Sequence, residues 1–102
     1  MQQSETWSVI LNPSAKGGKA AQCWKKLEAE LRLQQVAFQL FLTEKPGDGT
    51  AIAHQCIITG SRKILVVGGD GSLNEVVQAI LVQSEVPSKE IQLAIFAAGT
   101  GN

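Results

Sequence analysis

Four short apolar runs recur along the chain, and each is followed by a polar or glycine-rich stretch. The runs occupy residues 7–11, 36–42, 63–67 and 91–96. The first is a short, mostly apolar run with β-branched residues, and the second alternates before it becomes continuously apolar. Short runs of this kind, bounded by turn residues, predict β-strands.

Between the strands, apolar residues recur at the spacing of a helix. The first helix is predicted from Lys19 to about Gln35, with one apolar face. A second helix is expected to run to about Ile58, with Asp48 as its N-terminal cap. A third helix follows the strand at 63–67, so strands and helices alternate along the chain.

This alternation predicts an α/β fold, a three-layer doubly wound parallel sheet in the order βαβαβαβ. In such sheets, ligands bind beyond the carboxyl ends of the strands. The loops that would lie there are residues 12–18, 43–49, 68–72 and 97–102. Because these are the most polar and glycine-rich segments, the sequence predicts a ligand site at one edge of the sheet.

The loop at 68–72 (GGDGS) is the strongest candidate for binding an anion. Its glycines let the backbone approach a ligand closely. Ser72 and Glu75 have the spacing of a capping box, which predicts that the third helix begins near Leu73. The free N–H groups and the positive dipole end at such a helix start favour phosphate.

Two common phosphate-binding motifs do not match. The Gly18–Lys19 pair is followed by Ala20, whereas a P-loop requires serine or threonine at that position. The dinucleotide-binding fingerprint requires a third glycine where this chain has Asn74. A phosphate site in this chain is therefore expected to use another kind of loop.

Asp70 places a negative charge in the middle of the 68–72 loop. A carboxylate about 4 Å from a phosphate charge is repelled by roughly 4 kcal/mol at an effective dielectric constant of about 20. Three roles stay open for this residue. It could contact a Mg²⁺ ion that phosphates also hold, orient or deprotonate an acceptor hydroxyl, or close the turn through its own side chain.

Polar residues in the neighbouring loops could complete such a site. Asn12 and Ser14 can donate hydrogen bonds to phosphate oxygens, and Lys16 can offset their charge. Thr43 follows the second strand at the same predicted edge, and Thr100 lies in a final glycine turn. Each of these residues also fits an ordinary turn, so their significance comes from their shared place at one edge.

The composition narrows the possible function classes. The chain of 102 residues has a formal net charge of zero, which gives no electrostatic footprint for nucleic acid or an anionic membrane. Neither a signal peptide nor a membrane span is recognisable, so a cytoplasmic location is expected. Cys23 and Cys56 match no metal or redox spacing and are expected to be small buried residues. His54 is expected at a partly exposed helix position.

Four sequence elements, taken in order, resemble the catalytic region of the diacylglycerol kinase family. They are NPSAKGGK after the first strand, TEKPGDG after the second, VVGGDGSLNEVV across the third and AAGTGN after the fourth. Within that family, the chain is most similar to the bacterial soluble lipid kinases, which are related to sphingosine kinases. The likeness covers nearly the whole chain. Ser72 stands where the family usually has threonine, and Ala97 stands where it usually has proline.

The resemblance implies a function. Members of the family transfer the γ-phosphoryl group of ATP to a lipid hydroxyl, so ATP and Mg²⁺ are the expected cofactors and a diacylglycerol-like lipid is the expected substrate. Asp70 would be the catalytic residue, close to a phosphate-bound Mg²⁺. The residues that would line the nucleotide are Asn12, Pro13, Ser14, Ala15, Lys16, Thr43, Gly69, Asp70, Gly71, Ser72, Leu73, Asn74, Glu75 and Thr100.

Family members also have a second, mostly β domain that binds the lipid and completes the active site. We therefore expect residues 1–102 to be a single, truncated nucleotide-binding domain that is inactive alone, with the lipid-binding domain absent. Peripheral membrane contact by a longer parent protein and formation of a homodimer both stay open.

Two alternatives to a lipid kinase also stay open. NAD kinases and 6-phosphofructokinases share the Gly-Gly-Asp-Gly element and are similar in fold, although they lack the Asn-Pro-Ser-x-Lys loop. Outside the enzymes, the chain could be a flavodoxin-like module that holds a nucleotide without chemistry.

Overall fold

The computed structural model describes residues 5–97. The elements, in chain order, are β1 (Trp7–Leu11), a short 3₁₀ turn (Ala15–Gly18), α1 (Lys19–Leu33), β2 (Phe38–Leu42), α2 (Asp48–Ile58), β3 (Lys63–Gly68), α3 (Asp70–Val82), a second 3₁₀ turn (Ser88–Glu90) and β4 (Gln92–Ala97). The predicted βαβαβαβ order is confirmed.

The four strands form one parallel sheet in the order β2-β1-β3-β4. Trp7 of β1 lies opposite Phe38 of β2 and Lys63 of β3. At the other end of β3, Gly68 lies opposite Ala97 of β4. Because all four strands run in the same direction, their carboxyl ends lie at one edge of the sheet, which we call the carboxyl edge.

Helix α1 covers one face of the sheet. Val9 and Leu11 of β1 and Val67 of β3 pack there against Ala20 and Trp24 of α1, and all five residues are buried. Full burial of an aliphatic side chain contributes about 1.5–3 kcal/mol. The apolar stripe predicted for the first helix therefore attaches α1 to the two central strands.

Helices α2 and α3 cover the opposite face. Ile10 of β1 and Ile64 of β3 pack there with Ile57 of α2 and with Val76 and Ala79 of α3. Each of these five residues is almost completely buried. The predicted three-layer arrangement is confirmed, and the starts of α2 and α3 lie side by side at the carboxyl edge.

The predicted start of the third helix is wrong. Helix α3 begins at Asp70 rather than near Leu73, and its N-cap residue is Gly69 in an extended conformation. The predicted capping box between Ser72 and Glu75 does not form within residues 5–97, because the Glu75 carboxylate is hydrogen-bonded to α2 instead. A Cβ atom at Gly68 would lie 2.9 Å from Ser72 Oγ, so the glycine lets the end of β3 approach the first turn of the helix closely.

The predicted cap of the second helix is also wrong. Asp48 is the first residue of α2, and the N-cap residue is Gly47, with φ of 94°. The Asp48 carboxylate accepts hydrogen bonds from the backbone N–H groups of Glu44 and Lys45, in the loop before the helix. Asp48 therefore organises its own loop rather than the start of the helix.

Two further boundaries differ by two residues from the prediction. Helix α1 ends at Leu33, because the chain turns at Gln35, which has φ of 61°. Strand β2 begins at Phe38 rather than at residue 36, because the Val36 N–H donates to the Leu31 carbonyl and so belongs to the turn.

Candidate functional site at the carboxyl edge

Three loops meet in a cavity of about 200 Å³ at the carboxyl edge, which we call the edge cavity. Asn12 comes from the loop after β1, and Thr43 comes from the loop after β2. The start of α3 contributes Gly71 and Ser72. The other lining residues are Glu44, Lys45, Pro46 and Glu75. The parallel sheet thus brings together residues that lie far apart in the sequence.

Some depressions larger than the edge cavity lie away from these loops. One of about 510 Å³ is lined by residues that include Thr6, Arg32 and Val36, at the amino ends of β1 and β2. Size alone therefore does not identify a functional site. The edge cavity is the better candidate because polar groups from three loops converge on it at the carboxyl edge, where parallel sheets bind ligands.

Asp70 lies in an open groove of about 530 Å³, which we call the α3 groove. Its other lining residues are Gly71, Leu73, Asn74 and Val77, so Gly71 belongs to both the groove and the edge cavity. Asp70 is exposed, and no hydrogen bond or ion pair joins its side chain to another residue of the described range. The alternative in which Asp70 closes the turn through its own side chain therefore has no support among these residues.

A single carboxylate limits how a metal ion could bind here. Within residues 5–97, no three His, Cys, Asp or Glu side chains cluster as a protein-built metal site would require. Mg²⁺ is commonly held by one or two carboxylates together with substrate phosphates and water. The arrangement at Asp70 fits a Mg²⁺ ion that is held largely by phosphates.

The loop after β1 is shaped by Asn12 and leads to Lys16. The Asn12 Oδ1 atom accepts hydrogen bonds from the Ser14 backbone N–H at 3.2 Å and from the Ser14 hydroxyl at 3.1 Å. The Lys16 side chain extends over Gly69, since a Cβ atom added at Gly69 would lie 3.2 Å from Lys16 Cε and 3.9 Å from Nζ. The absence of a side chain at residue 69 therefore gives the Lys16 ammonium group its place beside the start of α3.

The loop after β2 is joined to α3 by Glu75. Its Oε2 atom accepts the Gly47 N–H at 2.9 Å, and its Oε1 atom accepts the Gly49 N–H at 2.9 Å. In addition, the Thr50 hydroxyl donates to the Glu75 backbone carbonyl at 2.7 Å. The positive end of α2 is therefore occupied by a carboxylate of the protein itself.

Asp48 has a different role, although it lies beside this contact. Hydrogen bonds from the backbone N–H groups of Glu44 and Lys45 hold the pKa of the Asp48 carboxyl below its ordinary value. The two bonds fix the turn that carries Lys45 and Pro46 at the rim of the edge cavity.

The start of α3 differs from that of α2. Both helices have a glycine as N-cap residue, Gly47 for α2 and Gly69 for α3, so the difference lies in what other elements supply. No carboxylate from another described element is hydrogen-bonded there, in contrast to Glu75 at α2. Free N–H groups and the helix dipole make such a start suitable for an anion.

The structure gathers most of the predicted site residues around the start of α3. Asn12, Thr43 and Glu75 line the edge cavity, whereas Leu73 and Asn74 line the α3 groove. Gly71 and Ser72 also line the edge cavity, and Asp70 and Gly71 also line the α3 groove. Lys16 extends over Gly69, Ser14 is hydrogen-bonded to Asn12, and the same loop after β1 contains Pro13 and Ala15. Thr100 falls outside the described range.

Sequence reasoning missed the true partner of Glu75. The local spacing of Ser72 and Glu75 suggested a contact within one helix, whereas the observed partners lie 26 and 28 residues away in the sequence. A usable signal existed in the glycine at position 49, because a Cβ atom there would lie 2.7 Å from Glu75 Oε1. A buried glycine inside a helix often marks such a close approach.

Other expectations concern residues outside the site. Cys56 is buried as expected, whereas Cys23 is partly exposed. His54 is exposed on α2. Across residues 5–97, the structure contains no helix with the length and apolar character that crossing a bilayer demands.

Fold and site together define a doubly wound α/β domain whose carboxyl-edge loops are suited to bind an anion. Comparison with known families makes this class specific. The chain belongs to the family of the diacylglycerol kinase catalytic domain, whose model matches residues 6–102.

Individual relatives agree with this assignment. The chain is 32% identical over 99 residues to "Putative lipid kinase YtlR" of Bacillus subtilis, with 94% of this chain and 30% of that protein covered. It is 32% identical over 98 residues to "Diacylglycerol kinase" of Staphylococcus epidermidis, with 92% and 28% covered. The solved structure of "A putative diacylglycerol kinase from Bacillus anthracis str. Sterne" matches with a TM-score of 0.77 at 25% identity, and covers 98% of this chain and 32% of that one. The chain thus spans less than a third of the length of these relatives.

Proposed function

We propose that this chain is the nucleotide-binding part of a lipid kinase that transfers the γ-phosphoryl group of ATP to the hydroxyl of a diacylglycerol-like lipid. One observation carries the proposal: the start of α3 has no side-chain cap, and it lies between the edge cavity, where three loops meet, and the α3 groove, which the exposed Asp70 lines. Membership of the diacylglycerol kinase catalytic domain family supports the same function.

The residues around α3 would divide the work. The N–H groups at the start of α3 and the Lys16 ammonium group would bind phosphate oxygens of the nucleotide. Asn12 and Thr43 line the edge cavity beside them and would orient the rest of the nucleotide. Such positioning and charge stabilisation supply most of the catalysis in phosphoryl transfer.

Asp70 would serve the reacting end of the nucleotide. Asp70 is exposed and lines the α3 groove, which shares Gly71 with the edge cavity. Asp70 would hold the phosphate-bound Mg²⁺ ion or accept the proton of the lipid hydroxyl. A bound Mg²⁺ ion would neutralise part of the negative charge on the phosphates.

We also propose that further polypeptide supplies the lipid-binding part of the kinase. The relatives are more than three times as long as the matched region, which leaves room for a second domain. Leu73 and Val77 of the α3 groove are not covered completely by the described residues, and the groove is open. On this account, residues 1–102 bind nucleotide but do not catalyse transfer.

Transfer of labelled γ-phosphoryl from ATP tests the function directly. The full-length gene product should label diacylglycerol, or a related lipid from a panel with sphingoid bases and phosphatidylglycerol, and should require Mg²⁺. NAD serves as the matched acceptor for the alternative kinase class. Labelling of NAD and of no lipid would overturn the proposal, and turnover by the 102-residue chain alone would overturn the requirement for a second domain.

A further inference from the structure

We propose that Glu75 is a positioning residue, which fixes the loop after β2 to α3 and so sets the width of the edge cavity without itself binding the nucleotide. The inference rests on the proposed function for its consequence, which is nucleotide affinity. It departs from the expectation that Glu75 would be one of the nucleotide's own contacts.

Both carboxylate oxygens of Glu75 are already in use. Oε2 accepts from the Gly47 N–H and Oε1 accepts from the Gly49 N–H, each at 2.9 Å. A carboxylate that accepts two backbone N–H groups at a helix start is held in place by charge-assisted hydrogen bonds. The phosphate groups of a nucleotide would be repelled by this carboxylate, so we assign its contribution to the position of the loop.

Glu75 also makes the side-chain hydrogen bonds between segment 43–50 and α3. Among residues 5–97, every side-chain hydrogen bond recorded between segment 43–50 and α3 involves Glu75, including the one from the Thr50 hydroxyl to its carbonyl. The Asp48 carboxylate binds within its own loop and makes no such connection. Apolar packing holds the bodies of α2 and α3 together, whereas Glu75 makes the side-chain hydrogen bonds that fix this loop to α3.

The hydrogen bonds of Glu75 to the loop after β2 affect the width of the edge cavity. Thr43, Lys45 and Pro46 line one side of the cavity, and Gly71 and Ser72 line the other. The Glu75 side chain spans the distance between the two sides. When that contact is lost, the sides can move apart, and groups that must bind one ligand together lose their spacing.

The fit at Gly49 indicates how closely this contact is built. A Cβ atom at Gly49 would lie 2.7 Å from Glu75 Oε1 and 3.1 Å from Glu75 Cβ. Gly49 is buried, and the carboxylate occupies the space that a side chain would take. The chain therefore approaches the carboxylate more closely than any other residue type would permit.

Three variants of the 102-residue chain test the proposal. Glu75→Ala removes both hydrogen bonds to the loop, whereas Glu75→Gln keeps one acceptor oxygen and should retain part of the connection. Ser61→Ala is the control, because it removes the buried 2.8 Å hydrogen bond between the Ser8 and Ser61 hydroxyls near the opposite edge of the sheet. It should lower stability without changing the edge cavity.

Two measurements are made on each variant under conditions where it is folded, as established by urea unfolding. The first is amide hydrogen exchange at Gly47 and Gly49, which should accelerate in Glu75→Ala and change little in Ser61→Ala. The second is the affinity for MgATP. We expect a loss of about threefold to thirtyfold in Glu75→Ala, a smaller loss in Glu75→Gln and none in Ser61→Ala.

Three other results would each overturn one part of the proposal. Equal affinity in Glu75→Ala and Ser61→Ala would overturn the positioning role. Unchanged exchange at Gly47 and Gly49 in both Glu75 variants would overturn the connection itself. If the unaltered chain failed to bind MgATP, the proposed function would fail, and the exchange data alone would still decide whether Glu75 fixes the loop.

Discussion

Two helices of this molecule begin with almost the same sequence but differ in what occupies their first N–H groups. Helix α2 is entered through Gly-Asp-Gly-Thr at residues 47–50, and α3 is entered through Gly-Asp-Gly-Ser at 69–72. Both begin at the aspartate, and both lie at the carboxyl edge. At α2 the Glu75 carboxylate accepts two backbone N–H groups, whereas no described side chain does so at α3.

The two aspartates differ in the same way. Asp48 accepts two hydrogen bonds from its own loop, while Asp70 is exposed and makes no recorded hydrogen bond to the described residues. A carboxylate of the protein thus occupies at α2 the kind of position that we propose for a phosphate at α3. The difference teaches that one motif, Gly-Asp-Gly-[Ser/Thr], can begin a helix in either setting, and that tertiary contacts decide whether a carboxylate of the protein accepts its first N–H groups.

The largest effect is expected on the rate of phosphoryl transfer, when Asp70 is replaced by asparagine and the same replacement at Asp48 serves as the control. In the full-length protein, we expect Asp70→Asn to lower the rate of the proposed phosphoryl transfer by at least about a hundredfold, because it removes a charge at the reacting phosphates. Asp48→Asn changes the equivalent residue of α2 and should leave the rate close to its original value. Steady-state assays of both variants test this contrast, which equal losses of rate would contradict.

The second contrast uses the two glycines that follow these aspartates. Gly49→Ala should lower the free energy of unfolding by about 1–3 kcal/mol, because its Cβ would lie 2.7 Å from Glu75 Oε1. A Cβ atom added at Gly71 would have no heavy atom within 4 Å apart from its chain neighbours and the adjacent backbone of α3. We therefore expect Gly71→Ala to raise the free energy of unfolding by about 0.4–1 kcal/mol. Urea unfolding measures both variants.

Nucleotide affinity sharpens the same contrast. The Cβ added at Gly71 would project where the edge cavity and the α3 groove adjoin, so MgATP should bind more weakly to this stable variant. If the Gly71→Ala variant were more stable than the unaltered chain and bound MgATP equally well, the result would argue against a ligand at the start of α3.

The third contrast concerns the hydroxyls at the ends of the two motifs. Thr50→Val removes the 2.7 Å hydrogen bond to the Glu75 carbonyl and should cost about 1 kcal/mol of stability. Ser72→Ala should change stability by less than about 0.5 kcal/mol, because the predicted capping box is not formed. Thermal or urea unfolding measures the stability of both variants. If Ser72→Ala lost as much stability as the removal of a typical N-cap residue, the result would support the capping box after all.

The smallest effect is expected in the pH dependence of stability. Hydrogen bonds from Glu44 and Lys45 lower the pKa of folded Asp48, so the ionised form contributes stability above the unfolded pKa. That contribution is lost as the pH falls below about 4 and through the lowered folded pKa. The stability difference between the unaltered chain and Asp48→Asn should therefore shrink from pH 7 towards pH 3, and a difference that stays constant would contradict the assignment.

The fold was predictable because its signals are local. The apolar run at 7–11 and the helical stripe from Lys19 gave boundaries that the structure reproduces within about two residues. The parallel sheet then follows from the alternation of strands and helices. Loops that lay apart in sequence could therefore be placed at one edge before any contact was known.

The contacts within the site were less predictable because they are not local. The Glu75 carboxylate binds residues from another helix, which spacing along one helix cannot reveal. Asp48 turned towards Glu44 for a related reason, since an aspartate at a loop end can bond either to the helix or to the loop. The close likeness of residues 47–50 to residues 69–72 also means that the motif alone could not distinguish the two helix starts.

The central claim is that an external anion binds at the start of α3 and that the start of α2 is already occupied. Titration of the ¹⁵N-labelled 102-residue chain with MgATP, followed through backbone amide chemical shifts, tests it most directly. We predict the largest changes at the amides of Gly69 to Leu73, with clearly smaller changes at Gly47 and Gly49. Largest changes at Gly47 and Gly49, or saturating binding that leaves the amides of Gly69 to Leu73 unmoved, would contradict it.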